Sequence, residues 1–194
     1  MATNRIEAHD ALVLFADLQS GIDDLGSLTI SHAALEKGVS GLARLAKIFD
    51  LPVIVSAVRG VDGGQAHIMP QIGAALGEVP THYRTTADSF RNSDIVAAIE
   101  ATGRKTILIS GVATELAVQL PALSATEAGY RVFVVVDACG GASARTEEAA
   151  LQRMTFTGVR TTCVLTLAGE LLGEFASPQA SQAIALLFEM ARQS

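Results

Sequence analysis

The stretch Thr106-Ile107-Leu108-Ile109-Ser110-Gly111-Val112-Ala113-Thr114-Glu115-Leu116-Ala117-Val118 decides the fold class. Residues 106–110 form an apolar run of the kind a strand covered on both faces requires. Residues 114–129 then read as a helix, so a strand passes almost directly into a helix. Ala117 falls in the first turn of that helix, at the carboxyl end of the strand. Free backbone N–H groups and the positive end of a helix dipole are expected there. Such a place suits a thiolate nucleophile or an oxyanion, yet this chain puts a methyl group in it.

The same rhythm extends in both directions. Residues 11–16, 52–58, 79–84, 131–137 and 159–164 read as further strands. Residues 31–49, 66–76, 92–102, 143–157, 166–174 and 178–192 read as helices. Asn92 or Ser93 suits a helix cap and Gly103 a helix stop. Strand runs that are apolar throughout point to a parallel sheet, and the βαβ order predicts an α/β, doubly wound, Rossmann-like fold. The expected architecture is a six-stranded parallel sheet with helices on both faces, in three layers. One domain over residues 1–194 accommodates it, with no linker or repeat. Ligands in such folds bind beyond the carboxyl ends of the strands. Asp17, Arg84 and the 113–117 turn all fall there.

Composition narrows the function classes. The 194 residues are 49% hydrophobic and carry 14 Lys and Arg against 20 Asp and Glu, a net charge of -6. With no basic cluster, nucleic acid and anionic membranes are not expected partners. No apolar run approaches the roughly 18 residues that span a bilayer. The opening MATNRIEAHD lacks the apolar core of a signal peptide, so a cytoplasmic location is expected. Cys139 and Cys163 form no spacing motif and are expected to be reduced. The last helix carries Ile184, Leu186, Leu187, Phe188 and Met190, more than one buried face needs, and predicts a homo-oligomer.

Asp17-Leu18-Gln19 after the first strand resembles the D-x-Q opening of the isochorismatase-like cysteine hydrolases. Residues 111–118 resemble their G-V-x-T-E-V-C-V nucleophile turn. Pro121-Ala122-Leu123-Ser124-Ala125, Gly129-Tyr130 and Val135-Val136-Asp137-Ala138 follow at matching spacing. The likeness covers about residues 10–172 and is greatest to the YcaC-like branch. It implies a hydrolase of small C–N substrates, amides or nitriles, working through a cysteine, an aspartate and a lysine or arginine. Carried over, Asp17 is the general base or acid, Arg84 fills the lysine position and Ala117 stands at the nucleophile. The Val112–Ala113 peptide is the candidate cis bond, and the N–H groups of Ala113 and Ala117 form the oxyanion hole. Gln19, His67, Val112 and Thr114 are candidate substrate-binding residues. An assembly from dimer to octamer is also implied.

Two departures set the functional question. Arginine keeps its proton and can position a carboxylate, but it does not titrate as an acid. Alanine has no lone pair, so no acyl-enzyme can form. Ala117 fits either a Cys→Ala change that inactivates an enzyme or a natural loss. The alternatives are a cysteine-independent vinyl-ether hydrolase with Asp17 as the acid, and a ligand-binding homologue without chemistry. Each of these residues also has a plain structural role: Asp17 as a turn residue, Gln19 as a surface residue, Arg84 as an ion-pair partner, Thr114 as a helix cap and Glu115 as a complement to the helix dipole. Cys139 lies near the pocket but lacks the helix-start geometry, and Cys163 reads as core in the sixth strand. Residues 59–67 hold no Asp-x-His, so no metal is expected. The glycine-rich turn at 60–64 has neither dinucleotide nor Walker spacing, so no cofactor is expected.

Overall fold

The computed structural model describes residues 5–22, 26–59 and 63–192. The glycine-rich turn therefore lies partly outside the described residues, since 60–62 are not among them. Six strands form one sheet: β1 (Ala11–Ala16), β2 (Val53–Val58), β3 (Thr81–Arg84), β4 (Thr106–Val112), β5 (Arg131–Gly140) and β6 (Arg160–Thr162). Their order is β3-β2-β1-β4-β5-β6, and every pairing is parallel. The order reverses between β1 and β4, the switch point where a doubly wound sheet opens a crevice.

Alternation along β1 shows how both faces are covered. Val13 and Phe15 join one core with Leu35, Val39 and Leu42 of α1 (His32–Ile48) and with Val164 and Leu167 of α6 (Val164–Leu172). Leu12 and Leu14 join the opposite core, with Ile95 and Ile99 of α3 (Ser93–Ala101), Ala122 and Ala125 of α4 (Gln119–Glu127), and Met154 of α5 (Ala144–Phe156). The first core also holds Ile72 of α2 (Pro70–Leu76) and Leu186 of α7 (Ala180–Arg192). The result is the expected three layers. Gly38 lets α1 lie directly on β5, because a Cβ there would sit 1.8 Å from the carbonyl oxygen of Asp137.

Local signals explain the helix ends. Ser31 Oγ accepts the Ala34 N–H at 3.2 Å, and Asn92 Oδ1 accepts those of Asp94 and Ile95 at 3.0 and 3.1 Å, each quieting otherwise unpaired donors. Several boundaries differ from expectation. Residues 66–69 are not helical: the Met69 N–H donates to the Leu18 carbonyl and the Ser20 N–H to the His67 carbonyl, both at 2.9 Å. The helix begins only at Pro70, whose fixed φ and missing N–H suit a first helical position. β6 is three residues long. Cys163, expected inside it as core, is instead a half-buried residue flanking the start of α6. β5 runs on past Asp137 to Gly140, because its end re-pairs with Gly111 and Val112 after a register irregularity.

Candidate active site

The site forms where β1 and β4 end side by side. Ala16 pairs with Gly111, and a Cβ on Gly111 would lie 2.3 Å from the Ala16 carbonyl oxygen. Glycine at 111 thus allows the two strand ends to approach closely. Asp17, the next residue, takes a left-handed backbone conformation with φ 56°, a region aspartate tolerates better than most residues. Its N–H donates to the Ser56 carbonyl at 2.9 Å, tying the turn to β2.

Arg84 at the end of β3 reaches the Asp17 carboxylate. One terminal nitrogen donates to Asp17 Oδ2 and the other to the Thr86 carbonyl, while Nε donates to Ser56 Oγ at 3.1 Å. Ser56 Oγ in turn lies 3.0 Å from Ser89 Oγ. Each guanidinium nitrogen therefore makes one hydrogen bond, and the side chains of Arg84 and Asp17 are only 2% and 8% exposed. Burial pushes the Asp17 carboxyl above its ordinary value, opposed by the Arg84 charge and hydrogen bond. Asp17 Oδ1 is buried and has no hydrogen-bond partner among the described residues.

On the β4 side the Val112–Ala113 peptide is cis. A widened π-helical turn, Thr114–Val118, follows and leads into α4. Two carboxylates, Glu147 of α5 and Glu115 of the turn itself, tie it to the segment around the start of α5. Thr114 Oγ1 donates to Glu147 Oε1 at 2.7 Å, and the Glu115 carboxylate accepts the Ala142 N–H at 3.0 and 3.2 Å. Thr114 thus uses its hydroxyl on Glu147 and makes no side-chain cap bond. Ala117 is 1% exposed. Its N–H is not free as the sequence suggested: it donates to the Ala113 carbonyl at 2.9 Å. The Leu116 N–H donates to the same carbonyl at 3.0 Å, so a free donor of this helix start would lie before Leu116. An oxyanion at this turn would share the Ala117 N–H rather than own it.

The remaining sequence candidates are placed as follows. Gln19 clamps the end of β2, with Nε2 donating to the Val58 carbonyl at 2.9 Å and Oε1 accepting the Val58 N–H at 3.0 Å. Val112, just before the turn, and Thr114, its first residue, are both buried. His67 is exposed, and its backbone carbonyl is what contacts residues 18–20. Cys139 is fully buried, and burial pushes its thiol up to about 12, so it is almost wholly protonated at neutral pH. A cavity of about 620 Å³ opens elsewhere, on Lys37, Asp137 and Cys163. There the Asp137 carboxylate is committed to the Val164 N–H and Lys37 Nζ to the Met190 carbonyl. Among the described residues, no group of three or more His, Cys, Asp or Glu could hold a metal ion. No helix of the described residues is long and apolar enough to cross a membrane.

Sequence reasoning missed Ser56, Thr86 and Ser89, which fix Arg84, and Glu147, which braces the turn. A serine alone within the apolar run 52–58 was the available signal for Ser56.

Comparison with known proteins adds to this geometry. The family model described as Isochorismatase domain matches residues 11–165. A curated relative, the probable hydrolase YcaC of Escherichia coli strain K12, is 36% identical over 157 residues, covering 80% of this chain and 74% of that protein. Among solved structures, YcaC from Pseudomonas aeruginosa with hexane-2,5-diol and covalent acrylamide superposes with a TM-score of 0.88 at 30% identity, covering 98% and 96% of the two chains. The Escherichia coli YcaC gene product, described as an octameric hydrolase of unknown specificity, gives 0.87 at 33% identity, covering 98% and 92%.

Proposed function

The chain belongs to the isochorismatase family, and from that premise we propose that its site binds a small amide- or nitrile-type molecule between the Asp17–Arg84 pair and the 112–117 turn. The observation that carries this reading is Asp17 Oδ1, an acceptor that is buried and unpartnered among the described residues. Burying a carboxylate oxygen without a donor is costly, so a ligand N–H, or a thiol S–H at position 117, is the natural complement. In a cysteine form of this site the thiolate attacks the carbonyl or nitrile carbon, with Asp17 taking the thiol proton. Ala117 stops the chemistry at binding, since no covalent adduct can form. No metal or organic cofactor enters this scheme.

A second reading keeps turnover without a thiol: Asp17 protonates a vinyl ether. The raised carboxyl of Asp17 favours it, because a general acid must hold its proton near the working pH. The ion pair with Arg84 opposes it. Turnover of amides and vinyl ethers, measured with and without Asp17→Ala, separates the two. Binding of amides without turnover is the expected result. Vinyl-ether turnover abolished by Asp17→Ala would establish the second reading, and absence of both binding and turnover would defeat both.

The chain is also proposed to be a homo-oligomer. Phe188 on α7 is 58% exposed and Phe156 at the end of α5 is 88% exposed, a large apolar cost for a free surface. Light scattering at micromolar concentration is expected to give a mass of at least two chains; a monomer would contradict this.

A further inference from the structure

Beside the Asp17–Arg84 pair lies a cavity of about 380 Å³, lined by Val58, Arg59, Tyr83, Arg84 and Thr85. Among the described residues its walls carry two guanidinium groups and no carboxylate. Arg84 is paired with Asp17, and each of its three guanidinium nitrogens already makes a hydrogen bond. Arg59 is different. It is exposed, and no Asp or Glu among the described residues pairs with it. Among the described residues the cavity thus has one positive charge without an acidic partner, in a chain whose net charge is -6.

The Arg59 guanidinium is also positioned. Its central carbon stands 4.6 Å from the centroid of the Tyr83 ring. A guanidinium stacked on a ring covers its face and leaves its edge N–H donors free. Tyr83 is anchored on β3, and its hydroxyl oxygen accepts the Ala66 N–H at 3.1 Å. The backbone just before Arg59 is held by the two Gln19 bonds to Val58. This preordering lowers the entropy cost of using the side chain as a carboxylate fork.

We infer that Arg59 is the specificity-determining residue of the site, and that it selects ligands carrying a carboxylate at the end remote from the reacting amide. This inference rests on the proposed amide site. The single planar fork matches a single carboxylate, and Arg84, which lines this cavity and pairs with Asp17, sets the anion end beside the amide end.

The test uses the protein with Ala117 in place, where binding is not complicated by turnover. Calorimetric titration compares malonamate, succinamate and glutaramate with propionamide, butyramide and valeramide, in which a methyl group replaces each carboxylate. At least one charged amide is expected to bind about ten-fold or more tightly than its neutral partner, as a charge-assisted bidentate contact allows. Arg59→Gln is expected to erase that preference while leaving the neutral amides unchanged. Arg59→Lys, which keeps the charge and loses the fork, is expected to retain only part of it. Equal binding of charged and neutral amides, or a preference that survives Arg59→Gln, overturns the role of Arg59 and leaves the amide site standing. Failure of the folded protein to bind any of the six overturns the amide site and this inference with it.

Discussion

Replacing Ala117 by cysteine is expected to create a thiol that alkylates near neutral pH at least about a thousand times faster than Cys139. The contrast is between two environments in one chain. Burial pushes the Cys139 thiol up to about 12, which leaves only about one molecule in 10⁴ to 10⁵ as thiolate at pH 7.5. Position 117 sits in the first turn of a helical segment, near the positive end of its dipole, a setting that lowers a thiol below its usual value of about 8.5. Asp17 Oδ1, without a partner among the described residues, supplies an acceptor for the departing proton. Iodoacetamide incorporation against pH, located by peptide mass spectrometry, reads the effect. Adding Asp17→Ala is expected to slow labelling at 117 and leave Cys139 unchanged. A residue-117 thiol no faster than one in an unstructured peptide, or one indifferent to Asp17, would remove the assignment of this site.

The parts of this site visible in the sequence are those set by local pattern. Uniformly apolar runs fix β1 and β4 as central strands, and the residues just beyond such strands are where a doubly wound sheet gathers its ligands. Asp17 and Arg84 could be named as candidates on that ground, and the structure brings them into contact. The contacts that hold them were not visible. Ser56, Ser89 and Arg84 meet across 28 to 33 residues of chain, and Glu147 reaches Thr114 across 33. No local period encodes such pairings. Edge elements failed for a related reason. Residues 159–164 look continuous, but Arg160, Thr161 and Thr162 lie on an outer strand where ladder bonds matter more than burial, and Cys163 falls beyond it. His67 reads as a candidate substrate-binding residue in the sequence, whereas in the fold its backbone carbonyl accepts the Ser20 N–H. The N–H of Ala117 illustrates a subtler limit. One residue of offset at a helix start separates a free donor from one already bonded, and helix boundaries read from sequence are not that fine.

Arg84→Met is expected to destabilise the fold by about 3–5 kcal/mol at neutral pH, the cost of breaking a buried ion pair by removing one partner. Both side chains are more than nine-tenths buried, so solvent cannot replace the lost charge. The pH dependence identifies the cause. Burial holds the Asp17 carboxyl above its ordinary value even with Arg84 present. A carboxyl raised in the folded state binds protons there more readily than in the unfolded chain. Between its unfolded value of about 3.9 and its folded value, stability from this group therefore falls as pH rises. Without Arg84 the folded value climbs further, and that window widens upward. The deficit of Arg84→Met should accordingly be smaller at pH 5 than at pH 7.5, measured as urea midpoints at one fixed protein concentration. A pH-independent remainder is expected, because the Thr86 carbonyl also loses its donor. Adding Asp17→Asn removes the stranded charge and should recover a large part of the loss. A deficit equal at both pH values, or a double variant less stable than Arg84→Met, would show that the pair is held by packing and not by its charge.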